Sequence, residues 1–270
     1  MRPLLHHLMA STAMAGLLSV SCAALAQDSS AVRLPQVDVW AQNNQAQENT
    51  TTIDGERLRQ EGANRLGDVL RTVPGVFTRE NVQQPGVAVN IRGFEGSGRV
   101  NTMIDGVRQN FRFTSHDAAG FTYVDPNLLA GIDVSRGAVT GVGGGALAGS
   151  VNLRTLDVDD VLMPGRKVGA LSRLGWGSNG VDFQEMVAGA ARIDGVGLVG
   201  AISHRSSRNY QDGSGNSVPG TGQDLLSGLL KTRIDMGGGH SLGLGGGLLS
   251  LSGGAFFGVA IRTRYSRAPS

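Results

Sequence analysis

The residues with the most chemical potential in this chain cluster in one short aromatic stretch. His116 sits within Phe111-Arg112-Phe113-Thr114-Ser115-His116-Asp117-Ala118-Ala119-Gly120-Phe121, between two strand-like segments. A neutral imidazole can ligate iron. The rings of Phe111, Phe113, Phe121 and Tyr123 can offer a flat apolar surface, and Arg112 can face a carboxylate. The same residues also read as an exposed loop histidine among structural aromatics, and spacing alone favours that plainer account. His204 and His240 fall on expected strand ends and read as structural. Arg92 and Arg136 have the chemistry of anion clamps. Gly143-Gly144-Gly145-Ala146-Leu147-Ala148-Gly149 has the glycine content of a phosphate loop, but no Gly-Lys-Ser/Thr closes it and no dinucleotide spacing fits, so close backbone packing is its reading. No nucleophile–base pair or metal-spaced cluster emerges, and the chain is not expected to be an enzyme.

The elements that must position these groups follow from composition and periodicity. Of 270 residues, 42 are glycine, about twice the usual share of roughly 7%. Lys+Arg 24 against Asp+Glu 22 leaves +2, too little field for a nucleic-acid partner. The lone Cys22 excludes a disulfide framework and a thiolate metal site. Arg2, the apolar run Leu8 to Val20 and Ala24-Leu25-Ala26 together form an export signal over residues 1–26, too short to span a bilayer.

Beyond it the chain reads in parts. Residues 27–52 are a polar arm with one apolar island, Leu34 to Trp40, an extended patch of the kind a strand-adding partner captures. Residues 53–160 read as a mixed α/β unit with a small sheet and short helices. In Asn64 to Val73 the apolar residues fall at i, i+3, i+4 and i+7, so a helix is expected there, capped by Asn64 and stopped at Pro74-Gly75. Strands are expected at Val87–Arg92, Val100–Ile104, Gly131–Ser135 and Ser150–Arg154, with Asp105-Gly106 turning a hairpin. From Lys167 the texture becomes period-two. Val168, Ala170, Leu174 and Trp176 share one parity, while Lys167 and Arg173 take the other. The pattern repeats through Val181–Ile193, Val196–Ile202, Leu226–Met236 and Leu242–Leu248, with tight turns at Asp194-Gly195 and Gly237–Gly239 and a long loop at Ser206–Gln223. Five such segments over 166–252 have the length and dyad pattern of a transmembrane antiparallel β-barrel. Residues 253–270 lose clean alternation and read as an atypical tail.

Several motifs then occur in a particular order: Val37-Asp38-Val39, Arg65 to Leu70 through Val73-Pro74-Gly75-Val76, Asn90-Ile91-Arg92-Gly93-Phe94, Met103-Ile104-Asp105-Gly106-Val107, Ile132 to Ala138, and Ala146 to Asn152. This ordered set resembles the plug of the TonB-dependent outer-membrane receptors. Gly96 to Gln109 and Val124 to Gly131 resemble, more narrowly, the haem/haemophore receptors of the HasR type. The resemblance spans about 37–250.

What the resemblance implies is specific. Val37, Asp38, Val39 and Trp40 would be the TonB box, which adds as a strand to TonB of the TonB-ExbB-ExbD complex and draws on the plug. His116 would ligate the iron of haem, with Phe113 and Phe121 against the porphyrin and Arg112 at a propionate. Haem would be the transported ligand rather than an intrinsic cofactor, arriving free or from a haemophore or haemoglobin. A second haem histidine belongs to a barrel loop beyond this chain. Arg92 and Arg136 would pair the plug with the barrel. Outer-membrane lipid would surround the wall, with the plug and TonB box facing the periplasm, and no transcriptional signalling is expected.

The chain also departs from the family. A 22-stranded barrel needs on the order of 220 residues in strands, and only 105 follow Gly165. The expectation is therefore a truncated or frameshifted receptor. A siderophore receptor plug and a non-transporting periplasmic binding module are the alternatives.

Overall fold

The computed structural model describes residues 49–60, 65–81, 84–96, 98–109, 121–139, 141, 143–180, 182–237, 240–251 and 254–265. In chain order the elements begin with β1 (Thr50–Asp54), α1 (Gly55–Gln60), α2 (Leu66–Leu70), β2 (Val76–Asn81) and β3 (Gln84–Ile91). Next come β4 (Phe94–Glu95), β5 (Val100–Ile104), β6 (Val107–Arg108) and β7 (Thr122–Tyr123). A 3-10 turn at Pro126–Leu128 leads into β8 (Leu129–Arg136), β9 (Gly149–Thr155) and α3 (Val158–Val161). Six long strands close the chain: β10 (Val168–Trp176), β11 (Phe183–Ile193), β12 (Val196–Ser207), β13 (Gln223–Gly237), β14 (His240–Leu251) and β15 (Gly254–Tyr265).

The first part is an α/β plug built on two small sheets. One has the order β1-β8-β9-β5-β6, with β5 and β9 parallel and the other pairs antiparallel; the second is β2-β3-β4, with β7 also paired to β3. Register explains the cohesion of the first sheet. Ile53 lies opposite Ile132, Ile132 opposite Leu153, and Leu153 opposite Ile104, so one row of aliphatics crosses four strands. Ile53, Ile132 and Leu153 are fully buried, each contributing about 1.5–3 kcal/mol. Leu66, Val69, Leu70 and Val73 from the α2 segment join that core.

Local chemistry accounts for the turns. Asp105-Gly106 and Asp194-Gly195 both have positive φ at both residues, the backbone that tight hairpins require. At Gly149 a different constraint holds: φ is +142°, and an added Cβ would stand 2.0 Å from the Ser135 carbonyl oxygen. A Gly149→Ala variant is expected to lose the β8–β9 ladder and with it the plug fold. Circular dichroism melting checks this, and a wild-type transition would refute it.

Three elements differ from the sequence reading. Helix α2 is only five residues long, and its N-cap position is Arg65, which makes no side-chain cap; Asn64 lies outside the described residues. The Glu80 carboxylate of β2 accepts from the Gly67 N–H at 2.8 Å instead, so a distant strand satisfies the helix start. Strand β1 begins at Thr50, inside the stretch read as arm, because three successive β-branched threonines pair along β8. Residues 254–265 form β15, paired antiparallel along β14, where the tail was expected to lose its pattern. Alternation does persist there as Phe257, Val259 and Ile261, thinned by glycine at Gly254 and Gly258.

Strands β10–β15 form one antiparallel meander in sequence order. Its two faces invert the usual rule. On β10, Val168, Leu174 and Trp176 are 70%, 73% and 79% exposed, and Val187, Ile202 and Leu230 continue that outward face across β11, β12 and β13. The opposite face, with Gln184, Met186, Ala188, Ala190, Val199, Ser203, Ser227 and Leu229, is buried against the plug. A second core forms there, joining Leu128, Leu156, Val158, Val161 and Leu162 to Met186, Ala188 and Val199. Glycine permits the approach: a Cβ on Gly197 would meet Val158 Cγ2 at 2.9 Å, and one on Gly169 the Val161 carbonyl oxygen at 3.0 Å. Among the described residues no helix is long and apolar enough to cross a membrane.

Candidate functional site

Two regions gather the candidate groups: the seam between plug and wall, and the aromatic packing of Phe121 and Tyr123. The seam is built from cations on the inward parity of the wall. Lys231 of β13 reaches Asp105 Oδ2 at 2.9 Å and donates to the Thr155 carbonyl at 3.1 Å. The same Asp105 carboxylate accepts from the Thr155 N–H at 2.9 Å and its hydroxyl at 2.6 Å. Arg173 of β10 donates to the carbonyl oxygens of Asn127 and Leu129 at 2.7 and 3.5 Å. Arg205 of β12 stands 3.6 Å from the fully buried carboxylate of Asp125. Asn127 also donates to Ser203 Oγ at 3.3 Å. At the α3 end, Asp159 takes Arg192 at 2.5 Å and Arg233 at 3.4 Å.

This arrangement seats the plug by charge and hydrogen bonding over an apolar contact. Asp160, beside it, has its carboxyl pushed up, chiefly by burial. By alternation alone, Arg173, Arg192, Lys231 and Arg233 are no more than the polar parity of their strands. Their partners lie tens of residues away, and parity alone gives no signal of them.

The second region surrounds Phe121. Arg79 of β2 lies over its ring, 5.1 Å from the centroid. Arg79 is itself held by Glu95 of β4, at 3.2 and 2.8 Å from Nε and Nη2. Gly86 leaves the space that Tyr123 and Phe121 occupy: an added Cβ would meet Tyr123 Cε1 at 2.8 Å and Phe121 Cβ at 3.3 Å. Burial pushes the Tyr123 phenol up. Phe121 is thus packed on the β2–β3–β4 sheet. Arg112, Phe113 and His116 lie outside the described residues, as do Val37, Asp38, Val39 and Trp40.

Other candidates resolve differently. Arg92 has φ +52° and donates its backbone N–H to the Gly75 carbonyl at 2.9 Å; it is an exposed turn residue. Arg136 pairs within the plug, with the Pro74 carbonyl at 3.2 Å and Thr51 Oγ1 at 3.1 Å. Among the described residues neither pairs with strands β10–β15. His204 lies 2.9 Å from Asp224 and 3.8 Å from Glu185 across neighbouring strands, a structural role. The glycine run supports backbone packing: Asn101 donates to the carbonyls of Gly143 and Gly144 at 3.0 and 2.9 Å. Among the described residues no group of three or more His, Cys, Asp or Glu is placed to hold a metal ion.

Comparison with known proteins agrees with this geometry. Residues 42–150 match the family model described as the TonB-dependent Receptor Plug Domain. A "Probable TonB-dependent receptor" of Haemophilus influenzae is 39% identical over 176 residues, covering 60% of this chain and 19% of that protein. The "Heme transporter BhuA" of Brucella suis is 32% identical over 138 residues, 51% of this chain and 20% of that protein. Among solved structures, the Serratia marcescens haemophore receptor HasR, in complex with its haemophore HasA and haem, superposes with a TM-score of 0.69 at 29% identity, covering 75% of this chain and 31% of that one. The chain thus spans about a fifth of the length of these curated relatives. Residues 42–150 are a TonB-dependent receptor plug domain, and the chain is that plug joined to the opening strands of an antiparallel β-barrel wall.

Proposed function

We propose that the chain is the gating part of an outer-membrane receptor that takes up haem, free or from a haemophore or haemoprotein, under the control of TonB. The observation that carries this reading is the inverted wall. Its apolar side chains face outward and its cations face the plug, which suits a strand set with lipid on one side and a polar occupant on the other. The haem class is supported by the relatives of known cargo, namely BhuA and the HasR complex. Residues 1–26 direct export, residues 37–40 offer TonB an extended strand on the periplasmic side, and His116 ligates the haem iron. TonB and its ExbB-ExbD partners supply the work.

The wall face gives the direct test. Leu230 is 61% exposed on the outward side. Leu230→Arg is expected to cost roughly 2–4 kcal/mol of insertion near the bilayer midplane. Fractionation of cells making the protein that carries these residues should then move it out of the heat-modifiable outer-membrane fraction. A wild-type protein found free in the periplasm would instead support a binding module without transport. For the arm, Asp38→Pro removes a backbone donor from the added strand, so capture by purified TonB should be lost; undiminished capture would refute residues 37–40 as the box.

A further inference from the structure

We propose that the junction between the N-terminal arm and the plug is a shear-loaded latch, with Arg136 as its clip. The inference rests on the reading that the arm is the segment drawn by TonB. Strand β1 pairs with β8 from Thr50 opposite Ser135 to Asp54 opposite Gly131. Load on the arm enters at the Thr50 end. The wall holds this sheet at its other end, where Arg173 binds the carbonyls of Asn127 and Leu129. Lys231 binds the Thr155 carbonyl, and Thr155 pairs with Leu129. Tension therefore enters and leaves an antiparallel pair at opposite ends. Ladder hydrogen bonds run perpendicular to the strands, so this load shears all of them together and does not peel them one by one.

Side chains reinforce the same seam. Thr50 and Ser135 share a hydrogen bond between their hydroxyls at 2.8 Å, and Thr52 Oγ1 donates to Asp133 at 3.0 Å. At the loaded end Arg136 ties its own strand to two separate segments, the start of β1 and the turn at Pro74. Its backbone N–H and Nε donate to the Asn49 carbonyl at 3.0 and 3.4 Å, Nη2 to Thr51 Oγ1 at 3.1 Å, and Nη1 to the Pro74 carbonyl at 3.2 Å. A latch of this form yields all at once above a load threshold. It distinguishes an arm that is pulled from one that is merely occupied.

The test is force spectroscopy on the full chain in a lipid bilayer, pulled by a tag ahead of Val37. The wild type should show a single release event. Arg136→Ala should release about tenfold faster at the same load, since hydrogen bonds to a charged group are lost, and Arg136→Lys should fall between. Thr51→Val removes one of the clip's bonds and keeps the strand propensity; it should speed release by less, and it serves if Arg136→Ala does not fold. Stepwise peeling at low load, or release at the wild-type rate in Arg136→Ala and Thr51→Val, would overturn the latch. A chain that TonB fails to capture refutes the arm reading instead, so the two failures are separable.

Discussion

Asp105→Ala is expected to unseat the plug from its wall. The carboxylate holds the Thr155 N–H, the Thr155 hydroxyl and the Lys231 ammonium together, with the Asp105 and Lys231 side chains 18% and 14% exposed. Removing one partner leaves a largely buried ammonium with only the Thr155 carbonyl, a loss on the order of 3–5 kcal/mol. Alanine also tolerates the left-handed φ of +52° poorly, adding roughly 1–2 kcal/mol. Asp105→Asn separates the two effects, because asparagine accepts that backbone conformation and keeps one acceptor while losing the charge. It should retain about half the loss. Lys231→Met, which replaces the ammonium by an apolar group of similar length, should cost least, since Asp105 keeps its Thr155 donors. Denaturant unfolding of the chain in detergent, with protease nicking between plug and wall as a second readout, measures all three. Equal midpoints for wild type and Asp105→Ala would show that the seam does not depend on this pair.

Haem binding offers the second large effect. His116→Ala should weaken haem binding by the chain at least about tenfold, or roughly 1.4 kcal/mol, and should shift the Soret band as an axial nitrogen is lost. His204→Ala is the matched control, because His204 is engaged with Asp224 and Glu185 on neighbouring strands and should leave the spectrum unchanged. An absorbance titration that gives the same curve and band position for wild type and His116→Ala would eliminate His116 as the ligand. Phe121→Ala is expected to weaken binding less, since the ring is already occupied on one side by Arg79.

Much of the fold is legible in the residues because it obeys local rules. The Asp-Gly pairs at 105–106 and 194–195 announce turns, since few other residues accept positive φ at two successive positions. Strands β5, β8 and β9 show as short apolar runs. Other elements are hidden for physical reasons. Strand β2 contains Thr78-Arg79-Glu80, which carries no strand signature alone; it is held by pairing with Val87, Ala88 and Val89 of β3. Helix α2 takes its start from the distant Glu80, which no local capping rule can anticipate. Arg136 looks like a group reserved for the barrel, yet it binds Thr51 and Pro74, which are far apart in sequence and adjacent only once β1 and α2 have folded.

The sequence by itself determined the alternation of the wall strands, the parity that separates Lys231 and Arg233 from Leu230 and Ile234, and the turns between them, because each depends on neighbours a few residues away. It did not determine which parity faces inward. In water the apolar side would turn to the core; here the plug presents Asp105, Asp125, the Asn127 carbonyl and Asp159 to the cations, and the apolar side turns out. Only the tertiary structure decides this, because the energy that orients each strand comes from partners that lie elsewhere in the chain.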